Sequence, residues 1–311
     1  MNSRSGPPPL QKGIISVIQT PFDSQGAVDQ ASLDNLVEDA IAGGVNGFLV
    51  PAVASEVACL TADERARIVR RVAGIVAGRV PIIVGASDSR PRVCIEQAQL
   101  AREVGAAAYL VAVPTELYQE PERVEPFFRE VVEGAGDFPL MLQDLDFTGP
   151  GLTPEMIRRL TQVLPSLSSL KIESNPAGPK YTAIREICGG GMFLAGGWAI
   201  AQMIEALDRG VDAMIPECSM VRVWSAVDRC YRSGRREEAI RLFNRVQPVV
   251  GFTHQDLSVA IAFGKRLLVR RGIFATEYTR FGDFRWDRYN GRVAGELIDY
   301  YLELEASVSA A

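Results

Sequence analysis

From about residue 13 to about residue 235 the chain alternates short apolar runs rich in β-branched residues with longer stretches of helical period. That rhythm is the mark of βαβ units around a parallel sheet. Strands are predicted over 13–18, 47–50, 80–85, 107–113, 139–143, 167–172, 192–196 and 213–216, and eight is the number that closes a (β/α)8 TIM barrel. Helix starts fall between them: Asp29 ahead of Leu33, Leu36, Val37 and Ile41, a capping box at Thr61 and Glu64, and Thr153 before Pro154. Helical patterns near 219–233, 235–248, 256–271 and 291–306 exceed what the last barrel helix needs. The expected organisation is a flexible, Pro-rich arm over 1–12, a barrel over 13–235 and a C-terminal helical extension over 236–311 packed on it. A doubly wound sheet would place a glycine-rich phosphate loop after its first strand. Gln19 to Phe22 is not one, no such loop occurs elsewhere, and no nucleotide cofactor is implied.

The 311 residues carry a net charge of −5, and no basic cluster is free of interleaved acids, which argues against nucleic acid and anionic membranes as partners. Five cysteines without a CxxC pair suggest neither a disulfide framework nor a zinc set; they are expected as buried side chains in a reducing compartment. The first residues lack an apolar leader and no stretch approaches the ~18 apolar residues of a membrane span, so the expected location is cytoplasmic. His254, the single histidine, cannot furnish a three-ligand zinc site, and neither metal nor cofactor is expected. The segment from Tyr278 to Tyr289 mixes aromatics with arginines, which in an acidic protein reads as packing or a subunit contact rather than base stacking.

The 33 basic side chains are lopsided: four are lysines, Lys12, Lys171, Lys180 and Lys265, and the rest are arginines. A lysine with a chemical task must be one of these. Lys12 precedes the first strand, and Lys180 and Lys265 fall in a loop or helix of polar character. Lys171 lies at the end of strand six, and active sites of such barrels lie at the C-terminal strand ends. Alternation turns Leu170 and Ile172 toward the helices and Lys171 toward the interior. An amine held there away from bulk water is available in neutral form to attack a carbonyl; the plainer alternative is an ion pair with Glu173. Glu116, Tyr118, Asp144, Glu173 and Glu217 at strand ends are candidates for moving protons, and Gln143 for holding a hydroxyl.

From Gly13 to Pro248 the sequence resembles the family of dihydrodipicolinate synthase and N-acetylneuraminate lyase. The matching features are Thr20-Pro21-Phe22, the run from Gly44 to Val50 leading to Ser55-Glu56 and Leu60-Thr61, Pro114 after strand four, Leu170 to Glu173, and Ala195-Gly196 after strand seven. The resemblance implies a metal-independent class I lyase on a (β/α)8 barrel, with Lys171 forming a Schiff base with a 2-oxo acid. It further implies that the carboxylate rests on the turn at Ala54 and Ser55, that Gly196 leaves space beside the imine, that Ile215 lines the site, and that the chain is a homo-oligomer, tetramer or dimer.

The departures narrow the expectation. Where the family has Gly-Thr-Thr-Gly-Glu after strand two, this chain has Ala52 to Glu56, which keeps a hydroxyl at Ser55 and loses the threonine of the proton relay. The strand-five tyrosine is replaced by Gln143, neither acid nor base, leaving Tyr118 to take over the relay. No arginine occurs between Asp146 and Gly149 to receive a second carboxylate, so dihydrodipicolinate synthase activity itself is disfavoured. The subgroup of 2-keto-3-deoxy-arabonate dehydratases resembles the chain at these points, in Ser55-Glu56, Met141 to Asp144, Lys171 to Glu173 with the following Asn175 to Pro179 loop, and Arg271 to Ile273. That resemblance implies dehydration or aldol cleavage of a 2-keto-3-deoxy sugar acid, with Gln143, Asp144 and Glu173 meeting substrate groups. A barrel without catalysis, serving as a 2-oxo acid sensor or interaction protein, is the alternative that the missing relay motivates. An aldolase for phosphorylated sugars is opposed by Glu217, whose charge would repel the phosphate.

Overall fold

Eight parallel strands close in sequence order into a barrel in the computed structural model, which describes residues 8–282 and 284–309. They are β1 Gly13–Val17, β2 Gly47–Val50, β3 Ile82–Gly85, β4 Ala108–Ala112, β5 Leu140–Asp146, β6 Leu167–Ser174, β7 Phe193–Gly196 and β8 Ala213–Met214. Between them in the chain run α1 Gln30–Ala42, α2 Ala62–Val76, α3 Pro91–Glu103, α4 Val124–Ala135, α5 Pro154–Val163, α6 Ala177–Cys188 and α7 Met203–Asp208. After β8 come α8 Val221–Arg232, α9 Arg236–Thr253, α10 Leu257–Arg270 and α11 Arg288–Ser309. The expected eight strands and the surplus C-terminal helices are all present. Of the expected arm, residues 1–7 lie outside the described residues, and Lys12 pairs with Asp212 at 3.1 Å. No helix among the described residues is long and apolar enough to cross a membrane.

Two compact units divide the chain: Gly78–Ile215 together with Lys12 and the residues just before it, and Gly13–Ala77 together with Pro216 onward. In the first unit, Leu142, Leu170 and Leu194 stand abreast on β5, β6 and β7, all fully buried. One residue further along, Gln143, Lys171 and Ala195 form the next row, and alternation turns that row to the opposite face. Asp144, in step with the leucines, meets α6 through Lys180, which marks the leucine face as the helix side. Lys171 and Gln143 therefore face the barrel interior.

The helices begin where the sequence places their caps. Thr153 accepts the Met156 N–H at 3.2 Å with Pro154 in the first turn of α5. In the second unit Asp29 accepts the N–H groups of Ala31 and Ser32 at 3.0 and 3.1 Å, starting α1. Thr61 and Glu64 form the reciprocal box that opens α2, with bonds of 2.9 and 3.2 Å. Trp224 of α8 and Tyr301 of α11 are fully buried, so the C-terminal helices contribute to that unit's core.

Candidate active site

Lys171 and Glu173 share one face of β6, and Gln143 stands beside Lys171 on β5. All three are nearly fully buried. The Glu173 carboxylate gathers three donors: Lys171 Nζ lies 3.0 Å from Oε2, the Gln143 amide donates to the same oxygen, and the Trp198 N–H donates to Oε1 at 2.6 Å. This ion pair is the plainer arrangement that the sequence offered for Lys171, and its carboxylate is also the group placed to take up or return a proton beside the amine. Gln143 cannot change protonation state; it holds Glu173 in place.

Gly197 makes the packing possible. A Cβ there would lie 1.9 Å from Glu173 Oε1 and 2.6 Å from Lys171 Cε. The glycine expected to leave space beside the lysine was Gly196, but a Cβ at Gly196 would meet the Tyr181 hydroxyl at 2.4 Å and Met214 Cε at 2.9 Å. The row explains the difference: Lys171 pairs with Ala195, so position 197, two further on, returns to its face. Trp198 was also not anticipated, because its contribution is a backbone N–H. Ile215 is buried and donates its N–H to the Gly196 carbonyl at 2.7 Å, within the β7–β8 ladder.

Asp144 and Tyr118 do not join this group. The Tyr118 hydroxyl donates to Asp144 Oδ1 at 3.0 Å, and the Lys180 ammonium pairs with Oδ2. Lys180 also donates to the Pro150 carbonyl and, at 3.3 Å, to the Ser174 hydroxyl. Burial lowers the Lys180 pKa, opposed by the Asp144 charge, and burial first and the Asp144 charge second push the Tyr118 phenol up. A phenol held neutral against a carboxylate is a donor in a structural network, unlike the relay expected of it. Glu116 lines a separate cavity of about 300 Å³ with Pro91, Arg123 and Phe127.

The turn after β2 belongs to the second unit. Val53–Ser55 forms a single 3-10 turn, and Glu56 closes it in left-handed conformation with φ 57°. The Ser55 hydroxyl donates to the Ile18 carbonyl and accepts the Ala52 N–H at 2.9 Å, so its proton is committed within the protein. Thr20 donates to the Ser55 carbonyl at 2.7 Å. Glu56 is buried: it pairs with Lys265, and its Oε2 accepts Thr279 Oγ1, Arg280 N and Phe281 N at 2.6 to 2.7 Å. Lys180 and Lys265, expected in polar surroundings, are thus both interior, each because a buried carboxylate receives its ammonium. Glu217 caps the following 3-10 turn through the N–H and hydroxyl of Ser219 at 2.5 and 2.6 Å, and burial raises its pKa. Phe284 and Trp286 pack edge to face with ring centroids 4.8 Å apart, and Trp286 stacks on Phe252 with Arg266 above it, whereas Tyr278 and Tyr289 at the ends of the aromatic-rich segment are exposed.

A model of the dihydrodipicolinate synthetase family matches residues 10–280. The chain belongs to this family. It is 27% identical over 277 residues to the L-2-keto-3-deoxyarabonate dehydratase of Azospirillum brasilense, a match covering 88% of each chain. It is 33% identical over 164 residues to the 4-hydroxy-tetrahydrodipicolinate synthase of Thermus thermophilus, covering 52% of this chain and 54% of that one. The crystal structure of dihydrodipicolinate synthase from Rhodopseudomonas palustris superposes with a TM-score of 0.87 at 25% identity, covering 96% of this chain and all of that one. The Ruminococcus gnavus sialic acid aldolase has the same fold, with a TM-score of 0.86 at 15% identity over 95% of this chain and 98% of that one. This family member is a lyase.

Proposed function

We propose that the enzyme forms an imine between Lys171 and a 2-oxo acid and eliminates water from a 2-keto-3-deoxy sugar acid. The observation that supports the reading is the placement of Lys171, buried on the interior face of β6 beside Gln143 of β5, with Glu173 3.0 Å away as the nearest carboxylate. The neutral amine adds to C2, the carbinolamine loses water, and the protonated imine nitrogen becomes the electron sink. Glu173 removes the C3 proton, the electrons pass to the nitrogen, and the resulting enamine expels the C4 hydroxyl, which leaves as water with the proton from Glu173. One carboxylate thereby takes the place of the family's Thr–Tyr relay. Dehydration is preferred to C3–C4 cleavage because the sequence likeness to the Azospirillum dehydratase runs through 88% of the chain. The Ser55 hydroxyl and N–H are both engaged within the protein, the N–H with the Ala52 carbonyl at 2.9 Å, so neither is assigned to the substrate carboxylate.

Borohydride reduction in the presence of pyruvate is expected to attach a pyruvyl adduct to Lys171, located by peptide mass spectrometry; its absence sinks the imine. Glu173→Gln is expected to lower turnover by about 10²- to 10⁴-fold, the range for removing a general acid–base group. Assays that separate a dehydrated dioxo product from released pyruvate distinguish elimination from cleavage. Adduct formation without turnover on any 2-keto-3-deoxy acid would turn the reading to a sensor.

A further inference from the structure

A cavity of about 890 Å³ opens in the second unit between the turn that follows β1 and the aromatic-rich segment that precedes α11. Ser24 lines it from the turn, Ala262 from α10, and Tyr278, Phe284 and Arg285 from the segment. Its volume is that of a small-molecule site, which runs from about 300 to about 1,000 Å³.

The frame around the cavity is fixed by bonds within the unit. The Arg280 guanidinium donates to Glu64 and to the carbonyls of Gly26 and Cys59 at 2.6 to 3.1 Å, and it lies 4.3 Å from the centre of the Phe22 ring. Tyr278 packs edge-on against the same ring, with centroids 6.4 Å apart. Gly26 adopts φ +81°, and a Cβ on it would lie 3.2 Å from the Tyr278 hydroxyl, so the turn holds the phenol by close approach. The hydroxyls of Thr276 and Thr279 donate to the Phe22 carbonyl and to Glu56 at 2.6 and 2.7 Å.

Three polar groups of the lining are left over. Among the described residues, no hydrogen bond or ion pair engages the Arg285 guanidinium, the Tyr278 hydroxyl or the Ser24 hydroxyl. Arg280 is answered by Glu64 and Glu277 by Arg266, so the described lining carries one unanswered positive charge. A guanidinium fork matches a carboxylate, and the two hydroxyls can donate to its remaining lone pairs. The threonine hydroxyls are already engaged, so a ligand bearing many hydroxyls would lose its water without finding partners. The rings of Tyr278 and Phe284 favour an apolar, ring-bearing body instead.

We propose that this cavity is a binding site for a small aromatic monocarboxylate, with the carboxylate on Arg285, hydrogen bonds from Tyr278 and Ser24, and the ring against Phe284 and Ala262. The site is separate in its residues from Lys171 and does not depend on imine formation there.

The test is calorimetric titration of the full chain with 2-naphthoate, and with 2-naphthamide as the uncharged counterpart. The wild type is expected to bind the carboxylate saturably, with a dissociation constant of about 1 mM or below, and the amide about tenfold more weakly. Arg285→Gln should weaken the carboxylate about tenfold or more and leave the amide unchanged, since only the charged bond is lost. Tyr278→Phe should weaken it severalfold. Both substitutions fall on exposed side chains, and circular dichroism establishes that each variant is folded. No saturable binding up to 10 times that constant, equal affinity for acid and amide, or binding that Arg285→Gln does not change overturns the inference. So does light scattering that shows an oligomer of the wild type dissociating in Tyr278→Arg, because the face is then a contact between copies of the chain.

Discussion

A single methyl group at position 197 tests the proposed pairing of Lys171 with Glu173. Its nearest neighbours would be Glu173 Oε1 and Lys171 Cε, on buried side chains held in an ion pair, so Gly197→Ala should displace that pair and lower the melting temperature. What moves is the geometry of amine and carboxylate, and displacements of this size cost about 100-fold in rate. Timed borohydride trapping at Lys171 alongside thermal unfolding checks both halves. Gly196→Ala is the counterpart: its Cβ meets Tyr181 and Met214, so stability should fall while the Lys171–Glu173 contact is not struck directly. If Gly197→Ala is trapped at the wild-type rate, the Lys171–Glu173 contact is not what sets imine formation. Lys171 was legible in the sequence because a lysine stands out in an apolar strand. Gly197 became legible only with the register that pairs Lys171 with Ala195.

At the scale of elements, local signals were read well and partners brought together by the fold were not. Caps at Asp29, Thr61 and Thr153 involve residues within one turn of each other, and all three form as the sequence predicts. Asp144 was expected to meet substrate beside Gln143, yet adjacent strand residues face opposite ways, and only one of the two can look into the barrel. Its partner Lys180 lies on α6, beyond a loop and a strand, where no local pattern announces it. Replacing Asp144 alone leaves a buried ammonium without a counter-charge, which costs about 3–5 kcal/mol. Asp144→Asn is expected to show this loss in urea unfolding, and Asp144→Asn with Lys180→Met to recover most of it. Equal stability of the single and double variants would mean that the pair does not clamp the β5–α5 loop.

For the whole molecule, the scarcity of lysine has a physical counterpart: Lys171, Lys180 and Lys265 are interior and each is paired with a carboxylate, while Lys12 is largely exposed. Strand and helix periodicity made the barrel legible from sequence, since burial on two faces writes itself into spacing. Ion pairs between distant segments, such as Glu56 with Lys265, leave no such trace. Lys265 carries a stability signature that can be measured. Burial lowers its pKa from 10.5 to about 8, with the Glu56 charge opposing. The folded protein thus releases this proton near pH 8, whereas the unfolded chain keeps it to about pH 10.5. Between those values the unfolded state binds more protons, so Lys265 makes stability rise with pH across that window, by on the order of 3 kcal/mol in all. The variant with Glu56→Gln and Lys265→Met lacks the titration, and other groups titrate in both proteins. The stability of the wild type relative to this variant, followed by denaturant unfolding from about pH 7.5 to about pH 10, should therefore increase. A constant difference would show that Lys265 stays charged in the folded protein, with Glu56 compensating its burial in full.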